Sequence, residues 1–146
     1  MLDDDEKPEV LVRGASNPSV MVRLVDPGTF FDEKSFAIEV QADGLAAQID
    51  NVTTTPWDTP QLDEFFTQLA MNYTGWDGTR TWRSNHLNID AHFNAGGHVA
   101  LTWTLQAHYL TGDRWQVSIT TTVEAGAQMT SLAADIHEFL RGEHKR

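Results

Sequence analysis

From Leu87 to Val123 apolar and polar side chains alternate in three successive runs of one parity. Leu87, Ile89, Ala91 and Phe93 share odd numbers with Val99, Leu101, Trp103, Leu105, Ala107 and Tyr109, and then with Trp115, Val117, Ile119 and Val123. The even positions carry His86, Asn88, Asp90 and His92, then His98, Thr102, Thr104, Gln106 and His108, then Arg114, Gln116, Ser118, Thr120 and Thr122. A side-chain period of two describes an antiparallel sheet with one dry face and one wet face. The turns must conserve that parity. Asn94-Ala95-Gly96 and Leu110-Thr111-Gly112 suit three-residue loops with a left-handed glycine. This register sets His92 opposite His98, His108 opposite Arg114, Thr104 opposite Ser118 and Thr102 opposite Thr120. On the buried face it puts Trp103 beside Ile119 and Leu101 beside Thr121.

Upstream, Val10–Val12 reads as a short strand and Gly14–Pro18 as a loop. Val20, Val22 and Leu24 form a strand that Asp26-Pro27-Gly28 ends. Phe36, Ile38, Val40 and Ala42 lead into Asp43-Gly44, a type I′ hairpin signal, and Leu45, Ala47 and Ile49 follow. That hairpin pairs Ala42 with Leu45, Val40 with Ala47 and Ile38 with Ile49. Thr59 then caps a helix with Pro60 at its first position, and Leu62, Phe65, Phe66, Leu69 and Tyr73 form its apolar stripe before a stop at Gly75. A second helix spans Gly126 to Arg141, striped by Met129, Leu132, Ala133, Ile136, Phe139 and Leu140, with Gly142 beyond it. No internal repeat and no dividing linker is visible. The expected fold is α+β in two layers: an antiparallel sheet of about six strands with both helices packed on one face. Trp103, Trp115, Phe93, Phe36, Phe65, Phe66 and Phe139 supply its core. Residues 18–141 form the single domain. An acidic N-terminal segment (1–17) precedes it, frayed at Asp3–Glu6, and residues 142–146 form a frayed end.

A chain of 146 residues is large enough for one core without staples. Zero cysteines exclude disulfides, thiolate metal sites and thiol nucleophiles. A net charge of −11 repels nucleic acid and anionic lipid and suits a basic protein partner. No apolar run reaches the ~18 residues of a membrane span and no leader is apparent, so a cytoplasmic location is expected.

Motifs for chemistry are sparse. Of six histidines, His86, His92, His98 and His108 share the wet face. His86 and His92 stand about 20 Å apart along a strand, whereas zinc needs three or four converging ligands. No metal and no cofactor is expected. There is no Gly-x-Ser-x-Gly elbow and no P-loop. The acid pairs Asp63/Glu64 and Asp32/Glu33 read as solvated surface. The most distinctive stretch is Gly75-Trp76-Asp77-Gly78-Thr79-Arg80-Thr81-Trp82-Arg83. It reads as a structural corner, with Gly78 turning the chain and both tryptophans capping the core edge. It also reads as a recognition spot, since Trp and Arg dominate binding hot spots. Trp76, Asp77, Arg80, Trp82, Arg83, His92 and His98 are therefore the candidate binding residues, with no catalytic residue among them.

Trp57, Gly75-Trp76-Asp77-Gly78-x-Arg80-x-Trp82, Gly97-His98-Val99-x-Leu101-x-Trp103, Trp115 and Val123-Glu124-Ala125-Gly126-x-Gln128-Met129, in this order, resemble a family of small actinobacterial proteins known as a domain of unknown function. The likeness spans Val20 to Leu140 and implies a bacterial origin and a shared fold, but no activity. The tryptophan-bearing strand, the G-x-V-x-L strand and the closing Leu-rich helix also look like WapI-type immunity proteins, which are small acidic antidotes to toxins. Together these features lead us to expect a non-enzymatic protein-binding domain, an immunity-type antidote to a basic toxin partner. The alternative is a small-ligand binder or enzyme with a pocket between sheet and helices, built on Asp77, Arg80 and His86.

Overall fold

The parity of the late strands and the register of the Asp-Gly hairpin reappear in the computed structural model, which describes residues 8–30, 33–54, 60–106 and 113–142. In chain order the elements are β1 (Glu9–Arg13), β2 (Met21–Phe30), β3 (Glu33–Ala42), β4 (Leu45–Thr54), α1 (Leu62–Met71), β5 (Thr79–Arg83), β6 (Leu87–Asn94), β7 (His98–Gln106), β8 (Gln116–Glu124) and α2 (Ala127–Arg141). The fold is α+β, but the expected single sheet of about six strands is two antiparallel sheets of four, β1-β2-β3-β4 and β5-β6-β7-β8. Alternation shows which residues share a face, not which strands share a ladder. Four strands and a helix thus occur twice in succession, a repeat of topology that no repeat of sequence announces.

In the first sheet Ala42 pairs with Leu45, Val40 with Ala47 and Ile38 with Ile49, as the turn dictates. The left-handed backbone of that turn is confined to Gly44 (φ 76°), whereas a type I′ turn needs positive φ at Asp43 as well. A bulge between Phe36 and Ile38 then switches the parity of β4, so that Val52 and Thr54 are buried. Asp26-Pro27-Gly28 does not end β2. The strand continues through it as a bulge, pairing again at Gly28 with Ser35. Asp26 takes φ 55° there, a conformation aspartate tolerates better than most residues. The short strand expected near Val10 pairs along its length with β2 and buries Val10 and Val12.

In the second sheet β7 and β8 have the expected register, with Trp103 opposite Ile119, Leu101 opposite Thr121, Thr102 opposite Thr120 and Thr104 opposite Ser118. Between β6 and β7 the register differs: Asn94 opposes His98, and His92 opposes Ala100. The loop is Ala95-Gly96-Gly97, with φ 96° and 83° at the two glycines, so a second glycine lets it close one residue later than expected. His108 lies outside the described residues. Trp115, expected in the core, precedes the first residue of β8 and is 46% exposed. Phe93 is half-buried.

α1 begins later than expected. Its cap is Gln61, whose backbone N–H donates to Glu64 Oε1 at 2.9 Å in a capping box. Pro60 stands one residue before the cap, and Thr59 lies outside the described residues. The helix ends at Met71, so Tyr73 falls beyond its stripe and is exposed. Leu62, Phe65, Phe66 and Leu69 are buried, as is every residue of the expected α2 stripe. The helices pack on each other. Phe66 of α1 stacks on Trp103 of the second sheet at 6.0 Å, and Phe139 of α2 meets Phe36 of the first edge-on at 6.0 Å, while α2 also packs against β8 of the second sheet. One contiguous core joins both sheets and both helices.

Candidate binding surface

The Gly75–Arg83 stretch divides between the core and the surface. Gly78 (φ 76°) turns the chain into β5. Alternation along β5 sends Trp82 inward, where it is 3% exposed and donates Nε1–H to Pro60 O at 3.1 Å. Trp82 is therefore a tie between β5 and the start of α1, not a surface for a partner to touch. Trp76 is half-buried, donating to Ala91 O at 3.3 Å and meeting Phe93 edge-on at 5.4 Å. Arg80 lies over its ring at 4.7 Å, and Arg80 Nη1 donates to Asn72 Oδ1 at 2.6 Å. Behind them Gly75 (φ 115°) lets the backbone pass against Phe93, where a Cβ would come within 3.0 Å of the ring. Trp76, Arg80 and Asn72 so lock the corner, leaving Asp77 and Arg83 exposed.

The wet face of the second sheet is a grid of short polar side chains. Thr81, Asp90, Thr102 and Thr120 form one cross-strand row, and Arg83, Asn88, Thr104 and Ser118 the next. Thr81 donates to Asp90 Oδ1 at 2.6 Å, and the hydroxyl pairs Thr102–Thr120 (3.0 Å) and Thr104–Ser118 (2.8 Å) tie the strands. His92 and His98 stand exposed on this face but do not oppose each other: His92 lies between Thr79 and Ala100, and His98 between Asn94 and Glu124. Among the described residues no three His, Asp or Glu side chains gather as a metal site.

Sequence reasoning missed a buried polar cluster between the helices. Asp63, expected to be solvated, is 3% exposed. Arg141 donates Nε–H to Oδ2 (2.8 Å) and Nη2–H to Oδ1 (3.1 Å), the Glu64 N–H donates to Oδ1 (3.0 Å), and His137 Nδ1 lies 2.9 Å from Oδ2. Burial pushes the Asp63 carboxyl up, but the hydrogen bonds from Arg141 and His137 outweigh it and hold the group below the usual carboxylate range. The same contact raises Arg141 further. Two sequence signals pointed here. Asp63 sits three residues before Phe66, beside the apolar stripe, and His137 and Arg141 are four apart on one face of α2.

Open clefts border these elements. One of about 360 Å³ lies between β1, β8 and α2, lined by Leu11, Arg13, Thr122, Val123, Leu132 and Asp135 among others. Two more, of about 710 and 630 Å³, follow the seam of α1 and α2, one beside Asp63, His137 and Arg141 and one beside Ala70, Met71 and Ala134. Among the described residues no helix is long and apolar enough to cross a membrane.

A model of a family of unknown function, DUF6228, matches residues 13–143. No curated protein matches. Among solved structures, one titled "Crystal structures of trypanosoma bruciei MRP1/MRP2" is similar at a TM-score of 0.46 and 13% identity, over 91% of this chain and 86% of that one.

Proposed function

The chain belongs to the DUF6228 family of unknown function, and we propose that it is a non-enzymatic protein-binding domain of immunity type, which masks a basic partner. The observation that carries this reading is the contrast between core and surface. Trp103, Phe66, Leu101 and Met129 are wholly buried in contact with their neighbours. The clefts are open to the outside rather than enclosed as a substrate pocket would be, and only the one beside Asp63, His137 and Arg141 gathers several charged groups. The charge of −11 supports a basic partner. The absence of cysteine suits a bacterial cytoplasm.

One feature favours an enzymatic reading: a buried carboxylate orients His137, whose side chain is 62% exposed beside a cleft. A carboxylate–imidazole pair can serve as a general base. Here, however, Arg141 engages both carboxylate oxygens, so the cluster reads more economically as a clasp between helices.

The test is to cross-link the full chain in its native host and identify what it holds. The partner is then purified and binding measured against ionic strength. A basic partner whose association slows with salt supports the proposal. An acidic partner, or turnover of a small molecule abolished by His137→Ala, overturns it.

A further inference from the structure

We infer that the outer edge of β8 is a strand-addition site for an extended, basic segment of a partner protein, an inference that rests on the protein-binding reading and names its contact. An unpaired strand edge offers a row of N–H and C=O groups to any passing strand, and folded proteins usually blunt such edges with charge, proline, bulges, shortness or a cover. The two sheets have four edges: β1, β4, β5 and β8. Three are blunted. β1 and β5 are five residues each, with charge at Glu9 and Arg13 and at Arg80 and Arg83. β4 carries a charge at Asp50 and is plugged towards its C-terminal end by the Asn85 side chain, which accepts from Thr53 N–H at 3.1 Å and donates to Asn51 O at 2.9 Å.

β8 is less guarded: its one charge is Glu124, the last residue of the strand. It is nine residues long and pairs with β7 without a bulge. From Val117 to Val123 it has no charge and no proline, and all but Ser118 are β-branched. Among the described residues no element pairs with its outer side. Among the described residues, charge, shortness or a side-chain plug thus interrupts each of the other edges, whereas Gln116–Thr121 of β8, with a strong intrinsic preference for pairing, is interrupted by none of them.

The occupant follows from what surrounds that edge. A second copy would bring together two chains of charge −11, which repel, whereas a basic segment is attracted. β1 stands beside the C-terminal end of β8, since Thr122 and Val123 line the cleft with Leu11 and Arg13. A third strand between two others needs them about 9.5 Å apart. The nearest Cα atoms of β1 and β8 are within 8 Å, so the incoming strand pairs with Gln116–Thr121 and its end passes into the cleft. There Leu11 and Leu132 offer an apolar wall and Asp135 a carboxylate for a basic side chain.

The experiment uses the full chain and the capped peptide Lys-Val-Thr-Val-Thr-Val-Lys. Strand addition draws its affinity from main-chain hydrogen bonds, so this generic sequence suffices. Amide exchange should slow across Gln116–Thr121 on peptide addition and stay unchanged in β4. Methylating two alternate peptide nitrogens should weaken binding roughly thirty-fold, as two lost hydrogen bonds imply. Replacing both lysines by glutamates should also weaken it. Protection at β1, β4, β5 or the helices, or no protection anywhere at millimolar peptide, overturns the inference while leaving a partner found by cross-linking intact. Protection of β8 that grows with protein concentration alone, with a doubled mass, overturns the occupant in favour of a second copy. Protection of β8 lost on deleting residues 1–7 would do so in favour of the chain's own N-terminus.

Discussion

Arg141, at the end of α2, grips Asp63, in the first turn of α1, by two parallel hydrogen bonds of 2.8 and 3.1 Å. The planar guanidinium matches the carboxylate, and the geometry fixes how the two helices meet. Removing one member of a fully buried pair costs about 3–5 kcal/mol. Arg141 keeps 37% of its side chain exposed and can turn to water, so Asp63→Asn should cost less, about 2 kcal/mol. Urea unfolding would read this as a lower midpoint at unchanged slope. A loss below the scatter of the measurement would mean the clasp is ornamental.

The same pair sets an acid limit. The folded-state pKa of Asp63 lies below its unfolded value of about 3.9. Between those two values the unfolded chain binds the extra proton, so stability rises with pH there. The contribution is fully present above about pH 4 and is lost as pH falls through the folded value. Unfolding midpoints measured from pH 6 downwards should therefore drop more steeply in the native protein than in Asp63→Asn. Parallel curves would assign the acid sensitivity to other carboxylates.

How Asp63 was misread shows where sequence inference stops. Periodicity along α1 identifies Leu62, Phe66 and Leu69 as buried, but a carboxylate on the flank of that stripe looks solvated until α2 arrives with Arg141. That partner is remote in sequence and local only in space. The register of β7 on β8 was legible because parity leaves few alternatives and one face must be dry. The register of β6 on β7 was not, since Gly96 and Gly97 allow two loop closures that keep the same parity. The division into two sheets was invisible for a related reason. Alternation says nothing about whether β4 and β5, separated by α1, share hydrogen bonds. At the corner, composition drew attention to Trp76 and Trp82 alike, and only alternation along β5 separates the buried one from the half-buried one.

Trp103 donates its indole N–H to Thr121 Oγ1 at 3.0 Å, with both side chains wholly buried. Thr121→Val keeps the shape and removes the acceptor, stranding a buried donor. This should cost about 1–3 kcal/mol. The double change with Trp103→Phe should then lose less than the two single losses added together, because the second change removes the stranded donor. Strict additivity in that cycle would show that the hydrogen bond contributes nothing beyond packing.

Asn85 joins the two sheets by standing in for a strand, with bonds of 3.1 and 2.9 Å to Thr53 N and Asn51 O. Asn85→Ala should lower stability by about 1–2 kcal/mol. It should also release the Thr53 amide to exchange while leaving the amides of β7 protected. If Thr53 exchanges no faster, the bridge does not guard that edge.

Charge should act on the rate of encounter with a basic partner more than on the life of the complex. Complementary fields speed association, and salt removes the gain as the Debye length shrinks from ~10 Å at 0.1 M to ~3 Å at 1 M. The acids to reverse are Asp43 and Asp50, exposed on the β3–β4 hairpin. Asp63 would be the wrong choice, because its reversal places a second cation against Arg141 in a buried site and unfolds the clasp instead of testing the field. Asp43→Lys with Asp50→Lys should slow association several-fold at low salt. Dissociation should change little, because neither residue lies on the β8 edge or in the cleft beside it. Raising the salt to 1 M should bring native and variant on-rates together. Stopped-flow or surface kinetics across that salt range would decide it. Equal on-rates at low salt would remove electrostatic steering, and an effect confined to dissociation would place the contact on the hairpin itself rather than on β8.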